Sequence, residues 1–133
     1  MSEPATAPEG CLRIRFGLHD THYGGGLIPA ATILRLFADC AAELGIRMDG
    51  VDGYLAAYEH AEFLKPVHAG DYVEFRASLQ SKGNRSRRIA VAAYRYIEGR
   101  ELEGDGDLAS GIVHDPPELL ARATMVVVIP RRS

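Results

Sequence analysis

The sequence predicts an α+β domain in which one long helix packs against an antiparallel sheet. Only one long stretch has its apolar residues at helical spacing, and it comes early in the chain. Several stretches with strand character follow it, and the connections between most of them are too short for crossover helices. With 133 residues the chain has the size of one domain, which we predict over residues 11–133.

The first half of the chain supplies one strand and the helix. Residues 1–10, rich in Pro, Ala and Glu, are predicted to be a disordered leader. Residues 12–16 alternate apolar and charged side chains, which is typical of a half-buried strand. The helix is predicted over residues 27–45, with Pro29 in its first turn and Gly45 just beyond its last turn.

The second half is predicted to be mostly strands. Stretches rich in β-branched and aromatic residues, or bounded by turn residues, predict strands at 54–64, 71–81, 88–97 and 119–129. Residues 98–117 are acidic, rich in Gly and Pro and without periodicity, so we predict an excursion loop there. His68 and His114 are predicted to be surface loop residues.

Composition narrows the class of protein. The hydrophobic and charged fractions, 47% and 25%, are those of a globular domain. No apolar run approaches the roughly 20 residues that span a bilayer, and the N-terminus lacks a secretory signal, so we expect a cytoplasmic protein without membrane partners. Two cysteines make no disulfide framework, and a net charge of −3 argues against nucleic-acid binding. Because so small a domain has little room for a deep pocket, we expect a site between subunits.

Five short sequence motifs resemble those of a known family. They lie at residues 22–27 (HYGGGL), 36–44 (LFADCAAEL), 56–64 (AAYEHAEFL), 66–74 (PVHAGDYVE) and 83–87 (GNRSR). In this order and spacing they resemble the hotdog-fold enzymes that act on thioesters, and more narrowly the β-alanyl-CoA and 3-aminobutyryl-CoA ammonia lyases. The resemblance runs from about Arg13 to Pro130.

Two positions depart from the lyase pattern. The chain has Pro29 where the lyases carry an acidic residue in the first helical turn, and His60 where they tend to carry an amide. In this it is more similar to the thioesterase-like enzymes of macrolactam-type β-amino acid biosynthesis, which add glycine to an enoyl thioester and can then hydrolyse it.

The resemblance implies both an architecture and a substrate class. It implies a hotdog fold, with a curved sheet wrapped around a central helix, and a homodimer or higher oligomer. It implies two substrates, an amine and an acyl thioester carried by CoA or by an acyl carrier protein. It implies no cofactor and no metal.

A glycine-rich turn before the helix is suited to stabilising a thioester enolate. Gly24, Gly25 and Gly26 leave backbone N–H groups open to a ligand, and the helix dipole favours negative charge there. His22 and Tyr23 precede them and join the predicted thioester-binding group. A sharp turn that merely needs glycine is the alternative, which the neighbouring residues make less favourable.

Three ionisable residues on one predicted strand are candidates for proton transfer. His60 is the first candidate, because an imidazole titrates near pH ~6.5 and can give or take a proton near neutrality. Glu59 and Glu62 flank it, and the alternation of a strand places His60 and Glu62 on one face and Glu59 on the other. Solvation of all three on an edge strand is the competing interpretation.

Asp39 is a further catalytic candidate. It lies between Phe37 and Ala41 in the apolar part of the predicted helix, where a carboxylate must be paired or catalytic. Hotdog thioesterases often have an acid near this position, so Asp39 could activate water. A pairing with Arg35, or a contact across a dimer, is an equally good interpretation.

The densest basic group of the chain is a candidate phosphate site. Lys82, Arg85, Arg87 and Arg88 stand out against the overall negative charge and could bind the phosphates of CoA or of a carrier protein. A solvated hairpin tip is the alternative. His19, Asp20 and His22 offer metal-ligand types, but no further ligand cluster follows and we predict no metal site.

Three functions therefore remain open. The first is an enzyme that adds an amine to, or eliminates it from, the β-carbon of an acyl thioester. The second is a plain acyl-thioester hydrolase, and the third is a binding module without catalysis. The fold alone does not choose, because one fold hosts several chemistries.

Overall fold

The architecture is one long helix against a five-stranded antiparallel sheet. A computed structural model describes residues 7–21, 24–101 and 109–131. The strands are β1 (Glu9–Arg15), β2 (Tyr54–Phe63), β3 (Tyr72–Lys82), β4 (Ser86–Glu101) and β5 (Ala109–Val128), and the helix α1 (Ala30–Asp49) lies between β1 and β2 in the chain. The strand order β1-β3-β4-β5-β2 leaves β1 and β2 at the edges. The predicted α+β arrangement is confirmed.

The first strand begins earlier than predicted. Glu9 and Gly10 pair with Ser78 and Ala77 of β3, so the predicted leader is wrong at its last two positions. Gly10 also lies so close to α1 that a Cβ there would stand 2.2 Å from the carbonyl oxygen of Cys40. Residues 1–6 lie outside the described residues.

The helix is one turn longer than its predicted end. Gly45 is buried inside α1, where a Cβ would meet the Val51 carbonyl oxygen at 2.9 Å, so this glycine serves close packing. The helix ends instead at Gly50, whose φ of 77° is the left-handed conformation that suits glycine. The helix also begins three residues later than predicted, so Pro29 is the N-cap residue before the first turn and not part of that turn. No helix among the described residues is long and apolar enough to cross a membrane.

The predicted excursion loop at 98–117 is wrong over most of its length. β4 and β5 continue through it as a hairpin, with Ile97 paired to Val113 and Glu101 paired to Ala109. The pairing skips the segment around Pro116 and Pro117 at a register shift, because proline has no N–H to donate to a ladder. Residues 102–108 lie outside the described residues.

The core lies between α1 and the inner face of the sheet. Alternate residues of the three central strands point at the helix and are buried, among them Val73, Phe75, Ile89, Val91 and Met125. Phe75 packs edge-on against Phe37 of α1, with ring centroids 5.8 Å apart. The other face of the sheet carries small and charged side chains and is called the outer face below.

A buried ion pair closes one end of the sheet. The carboxylate of Asp71 is 1% exposed and accepts a hydrogen bond from Arg95 at 2.9 Å. It also accepts from the backbone N–H of His68 at 2.9 Å and of Gly99 at 3.1 Å. Arg95 in turn donates to Glu118 at 2.9 Å. The Asp71 carboxylate therefore links the loop before β3 to the C-terminal part of β4 by hydrogen bonds.

We expect Asp71→Asn to destabilise the fold by about 3 kcal/mol, because it removes the buried charge that Arg95 contacts at 2.9 Å and leaves Glu118 as the remaining hydrogen-bonded carboxylate of that guanidinium. Urea unfolding of the variant and the parent measures this difference. Arg47→Ala, which breaks the exposed pair with Glu43, is the control and should cost about 0.5 kcal/mol. Equal losses in the two variants would contradict this role of Asp71.

Candidate active site

The glycine turn lies directly before α1, as predicted. Gly25 and Gly26 have φ of 77° and 69°, so both need the left-handed conformation that glycine adopts without strain. Apart from its neighbours in the chain, a Cβ at Gly24, Gly25 or Gly26 would meet no atom of the described residues within 4 Å. The turn is thus open rather than packed, and its backbone is accessible to a ligand. His22 and Tyr23 lie outside the described residues.

The loop before β3 holds this turn in place. The Ile28 N–H donates to the Val67 carbonyl at 2.8 Å, and the Ala69 N–H donates to the Gly26 carbonyl at 2.9 Å. No side chain caps the N-terminus of α1 and no acidic residue lies in its first turn. The first N–H groups of an α-helix lack partners inside the helix, and here the Thr32 N–H donates to the Pro29 carbonyl at 3.0 Å.

A β-bulge in β2 changes which candidates share a face. Glu59 pairs with Thr124 and Glu62 with Arg122, so three steps along β2 match two steps along β5. Of the two residues in between, His60 has a φ of 52°. The predicted alternation is therefore wrong, because the extra residue returns Glu59 and Glu62 to the same, outer face.

The outer face carries a groove of about 410 Å³ that contains two of the proton-transfer candidates. His60 and Glu62 lie at its rim, and small residues such as Ala90 and Ala92 form its floor. Glu62 accepts a hydrogen bond from Arg122 at 3.4 Å. Glu59 is not among the groove-lining residues, and its carboxylate pairs with Arg88. β2 is an edge strand on which His60 and Glu62 are exposed, so solvation of these side chains remains the competing interpretation and their role in proton transfer stays a prediction.

Asp39 is exposed on α1 and is paired, which agrees with the interpretation of this carboxylate as a partner of Arg35. Its carboxylate pairs with Arg35 one turn earlier, at 3.3 Å, and both side chains are more than half exposed. It lines a cavity of about 200 Å³ between α1 and the inner side of β2, together with Leu55. Asp39 and His60 thus lie on opposite sides of the sheet.

Tyr58 connects the edge strand to the helix. Its hydroxyl donates a hydrogen bond to the carbonyl of Leu34 in α1. Burial, with a smaller effect of the Asp39 carboxylate, raises the pKa of this hydroxyl, so it remains a donor. Tyr58 belongs to the segment at residues 56–64 that carries the family resemblance, but no local pattern in the sequence indicated its contact with α1.

Most cations of the predicted phosphate loop have carboxylate partners. The guanidinium of Arg87 is buried and donates two hydrogen bonds to Asp49, at 2.9 and 3.1 Å. Lys82 lies 3.8 Å from the same carboxylate, and Arg88 pairs with Glu59. Arg85 has no carboxylate within 4.0 Å in the described part of the chain. Phosphate binding by this loop stays a prediction.

His114 belongs to an ionic cluster, contrary to its prediction as a surface loop residue. It lies on β5, and its buried Nε2 is 3.4 Å from Glu98 and 3.8 Å from Glu118. These three side chains bring possible metal-ligating atoms within 4.8 Å of one another. The carboxylates, however, already accept hydrogen bonds or ion pairs from Arg95, Lys65 and Arg100. We interpret the cluster as a charge-balanced network.

Comparison with known proteins identifies the family. The chain is 41% identical over 120 residues to the 3-aminobutyryl-CoA ammonia lyase of Acetoanaerobium sticklandii, which covers 90% of this chain and 93% of that protein. The chain belongs to this ammonia lyase family. No family model matches the sequence.

Solved structures agree with this membership. The β-alanyl-CoA:ammonia lyase from Clostridium propionicum superposes with a TM-score of 0.83 at 25% identity, over 94% of this chain and 87% of that one. A hexameric thioesterase from Yersinia pestis superposes with a TM-score of 0.71 at 17% identity, over 96% and 92% of the two chains. The predicted hotdog fold and its membership of an enzyme family are thereby confirmed.

The ion pair between Asp49 and Arg87 makes stability depend on pH. Hydrogen bonds from Arg87 hold the pKa of the Asp49 carboxyl below its usual range. The folded state therefore binds this proton less readily than the unfolded state, and the stabilisation is lost as the pH falls below about 4. We expect Asp49→Asn to cost about 2 kcal/mol at neutral pH and progressively less in acid.

Urea unfolding of the parent and of Asp49→Asn between about pH 7 and pH 3 measures how the difference between their free energies of unfolding becomes smaller in acid. Asp39→Asn is the matched control, because Asp39 pairs with Arg35 on the exposed surface of the same helix. That control should change stability by less than about 0.5 kcal/mol throughout. If the stability difference between the parent and Asp49→Asn stays constant with pH, the role given to Arg87 is contradicted.

Proposed function

We propose that the protein catalyses the reversible elimination of ammonia from a β-aminoacyl-CoA. A base removes a proton from the α-carbon, the C–N bond of the protonated β-amino group breaks with its electron pair leaving on nitrogen, and neutral ammonia and the α,β-unsaturated thioester are released. In the reverse direction neutral ammonia attacks the β-carbon and the α-carbon takes up a proton. Both directions place negative charge on the thioester oxygen, which N–H donors can stabilise.

The open glycine turn is the observation that carries this proposal. It exposes the backbone of three glycines a few residues before α1, in a chain that belongs to an ammonia lyase family. On the proposal, the thioester oxygen binds at Gly24, Gly25 and Gly26. His22 and Tyr23 complete this site as the preceding residues in the chain.

His60 is the proposed proton-transferring group, with Glu62 beside it. A left-handed φ at a non-glycine residue is a strained conformation, and such strain is retained mainly at functional positions. Glu59 is given a supporting role through its pair with Arg88. Asp39 is the alternative acid or base, which would act from the helix side of the sheet.

The proposal includes a homodimer joined at the edge strand β2. Tyr54, Leu55 and Phe63 of this strand are exposed by 70%, 44% and 47%, and an edge strand with exposed apolar side chains favours pairing with a second copy. Such pairing would add a second α1 beside the first and enclose the region between helix and edge. Analytical ultracentrifugation tests the proposed dimer. We expect the mass of two chains or a multiple of that mass, and the mass of a single chain would contradict the dimer.

We expect the purified protein to convert crotonyl-CoA and ammonia into 3-aminobutyryl-CoA, with a product mass that shows the added amine. Parallel reactions separate the alternatives: glycine in place of ammonia, a crotonyl-loaded acyl carrier protein in place of CoA, and no amine at all. Formation of only free acid and thiol, with no amine in any product, would overturn the proposal in favour of a thioester hydrolase.

His60→Ala should lower kcat for ammonia addition about a hundredfold, because a positioned acid or base contributes on that scale. Asp39→Asn, which also alters a partly exposed group, should leave kcat within about twofold. The reverse order of effects would assign proton transfer to Asp39 and to the helix side of the sheet. Circular dichroism of both variants shows whether each has kept its fold.

A further inference from the structure

The Glu118 carboxylate holds two cations next to the β2–β3 loop, which comprises residues 64–71. Its Oε1 lies 2.6 Å from the Nζ of Lys65, a residue of that loop. Its Oε2 accepts hydrogen bonds from Nη2 of Arg95 at 2.9 Å and from Nε of the same guanidinium at 3.3 Å. One carboxylate thus contacts the loop directly through Lys65 and also binds a buried arginine.

Strand register explains why Glu118 lies at this place. The pairing of β4 with β5 puts Glu118 directly opposite Arg95, and opposite charges at facing positions stabilise a sheet. The ladder resumes with Ile97 opposite Val113, so residues 114–117 form an irregular segment beside this pair. That segment brings His114 to within 3.8 Å of the Glu118 carboxylate.

The third nitrogen of the Arg95 guanidinium faces the loop. Nη1 donates to the Pro66 carbonyl at 3.3 Å and to the Asp71 carboxylate at 2.9 Å. A guanidinium is planar and rigid, so a carboxylate that binds Nε and Nη2 also fixes the direction of Nη1. Glu118 therefore orients the donor that binds the loop near its start, at Pro66, and at its end, at Asp71.

The middle of this loop carries the glycine turn. Leu27 and His68 form an isolated antiparallel bridge between the two segments. On either side of it, the N–H of Ile28 donates to the loop and the N–H of Ala69 donates to Gly26. Glycines have no side chains that could fix the turn, so its position depends on these backbone contacts.

The charge state of Glu118 suits this arrangement. Hydrogen bonding from Lys65 lowers the pKa of the Glu118 carboxyl, and hydrogen bonding from Arg95 adds to this, against the opposing effect of burial. The carboxylate is therefore ionised at neutral pH. Its side chain is only 17% exposed, so water competes little for its two cations.

We propose that Glu118 is a positioning residue for the thioester site, because it fixes Lys65 and Arg95 and through them the β2–β3 loop and the glycine turn. The inference rests on the proposed function, which locates the thioester oxygen at that turn. No ion pair or hydrogen bond among the described residues joins Glu118 to the turn itself, so it acts only through the loop. Since the turn stabilises charge that develops during the reaction, its displacement lowers kcat more than it raises KM.

Steady-state kinetics of ammonia addition to crotonyl-CoA test the effect on catalysis. We expect Glu118→Gln, which keeps the side-chain size and removes the charge, to lower kcat about tenfold and to change KM by less than about twofold. Lys65→Met, at a more exposed position, should lower kcat about threefold.

Glu98→Gln is the matched control, because Glu98 lies in the same ionic cluster but pairs with Arg100 and has no described ion pair with the β2–β3 loop. Both constants of this control should stay within about twofold of the parent. An unchanged kcat in Glu118→Gln, or an equal loss of kcat in Glu98→Gln, would overturn the inference.

Amide hydrogen exchange tests the positioning role without relying on catalysis. The N–H groups of Ile28 and Ala69, which join the loop to the turn, should exchange about tenfold faster in Glu118→Gln than in the parent, whereas exchange at Val91 in the core should not change. Equal acceleration at all three amides, or at none, would contradict a positioning role. If Ile28 and Ala69 respond as expected but the parent performs no ammonia addition, the proposed function fails and the control of the turn by Glu118 stands.

Discussion

The buried ion pair between Asp71 and Arg95 is the constraint on which this end of the molecule depends. A carboxylate and a guanidinium removed from water are tolerable only with good geometry and further hydrogen bonds, and here the backbone of His68 and Gly99 supplies them. These bonds fix the loop before β3. Because that loop in turn holds Gly26, the position of the glycine turn follows from a charge pair that contacts neither the turn nor the helix.

The other polar candidate residues lie on two opposite faces of the sheet. The helix side has the Asp39 carboxylate and the Tyr58 hydroxyl, which ties the edge strand to α1. The outer side has His60 and Glu62 at the rim of a groove. The candidate proton-transfer groups therefore lie on opposite sides of the sheet, next to an edge strand with exposed apolar residues.

Charge pairing explains why a basic sequence segment is not by itself a binding site. Arg87 looks like part of a solvated basic tip in the sequence, but it is buried against Asp49, which lies 38 residues away in the chain. The last residue of α1 thus supplies the partner for a hairpin residue.

The sequence by itself determined the order of the elements, the position of the long helix and the glycine turn before it. These features are local, since apolar periodicity, Pro29 and the glycines act within a few residues of themselves. Only the tertiary structure decided the hairpin through residues 98–117, the bulge at His60 and the burial of Asp71. Strand register and the partners of buried charges depend on residues distant in the chain, and no local pattern specifies them.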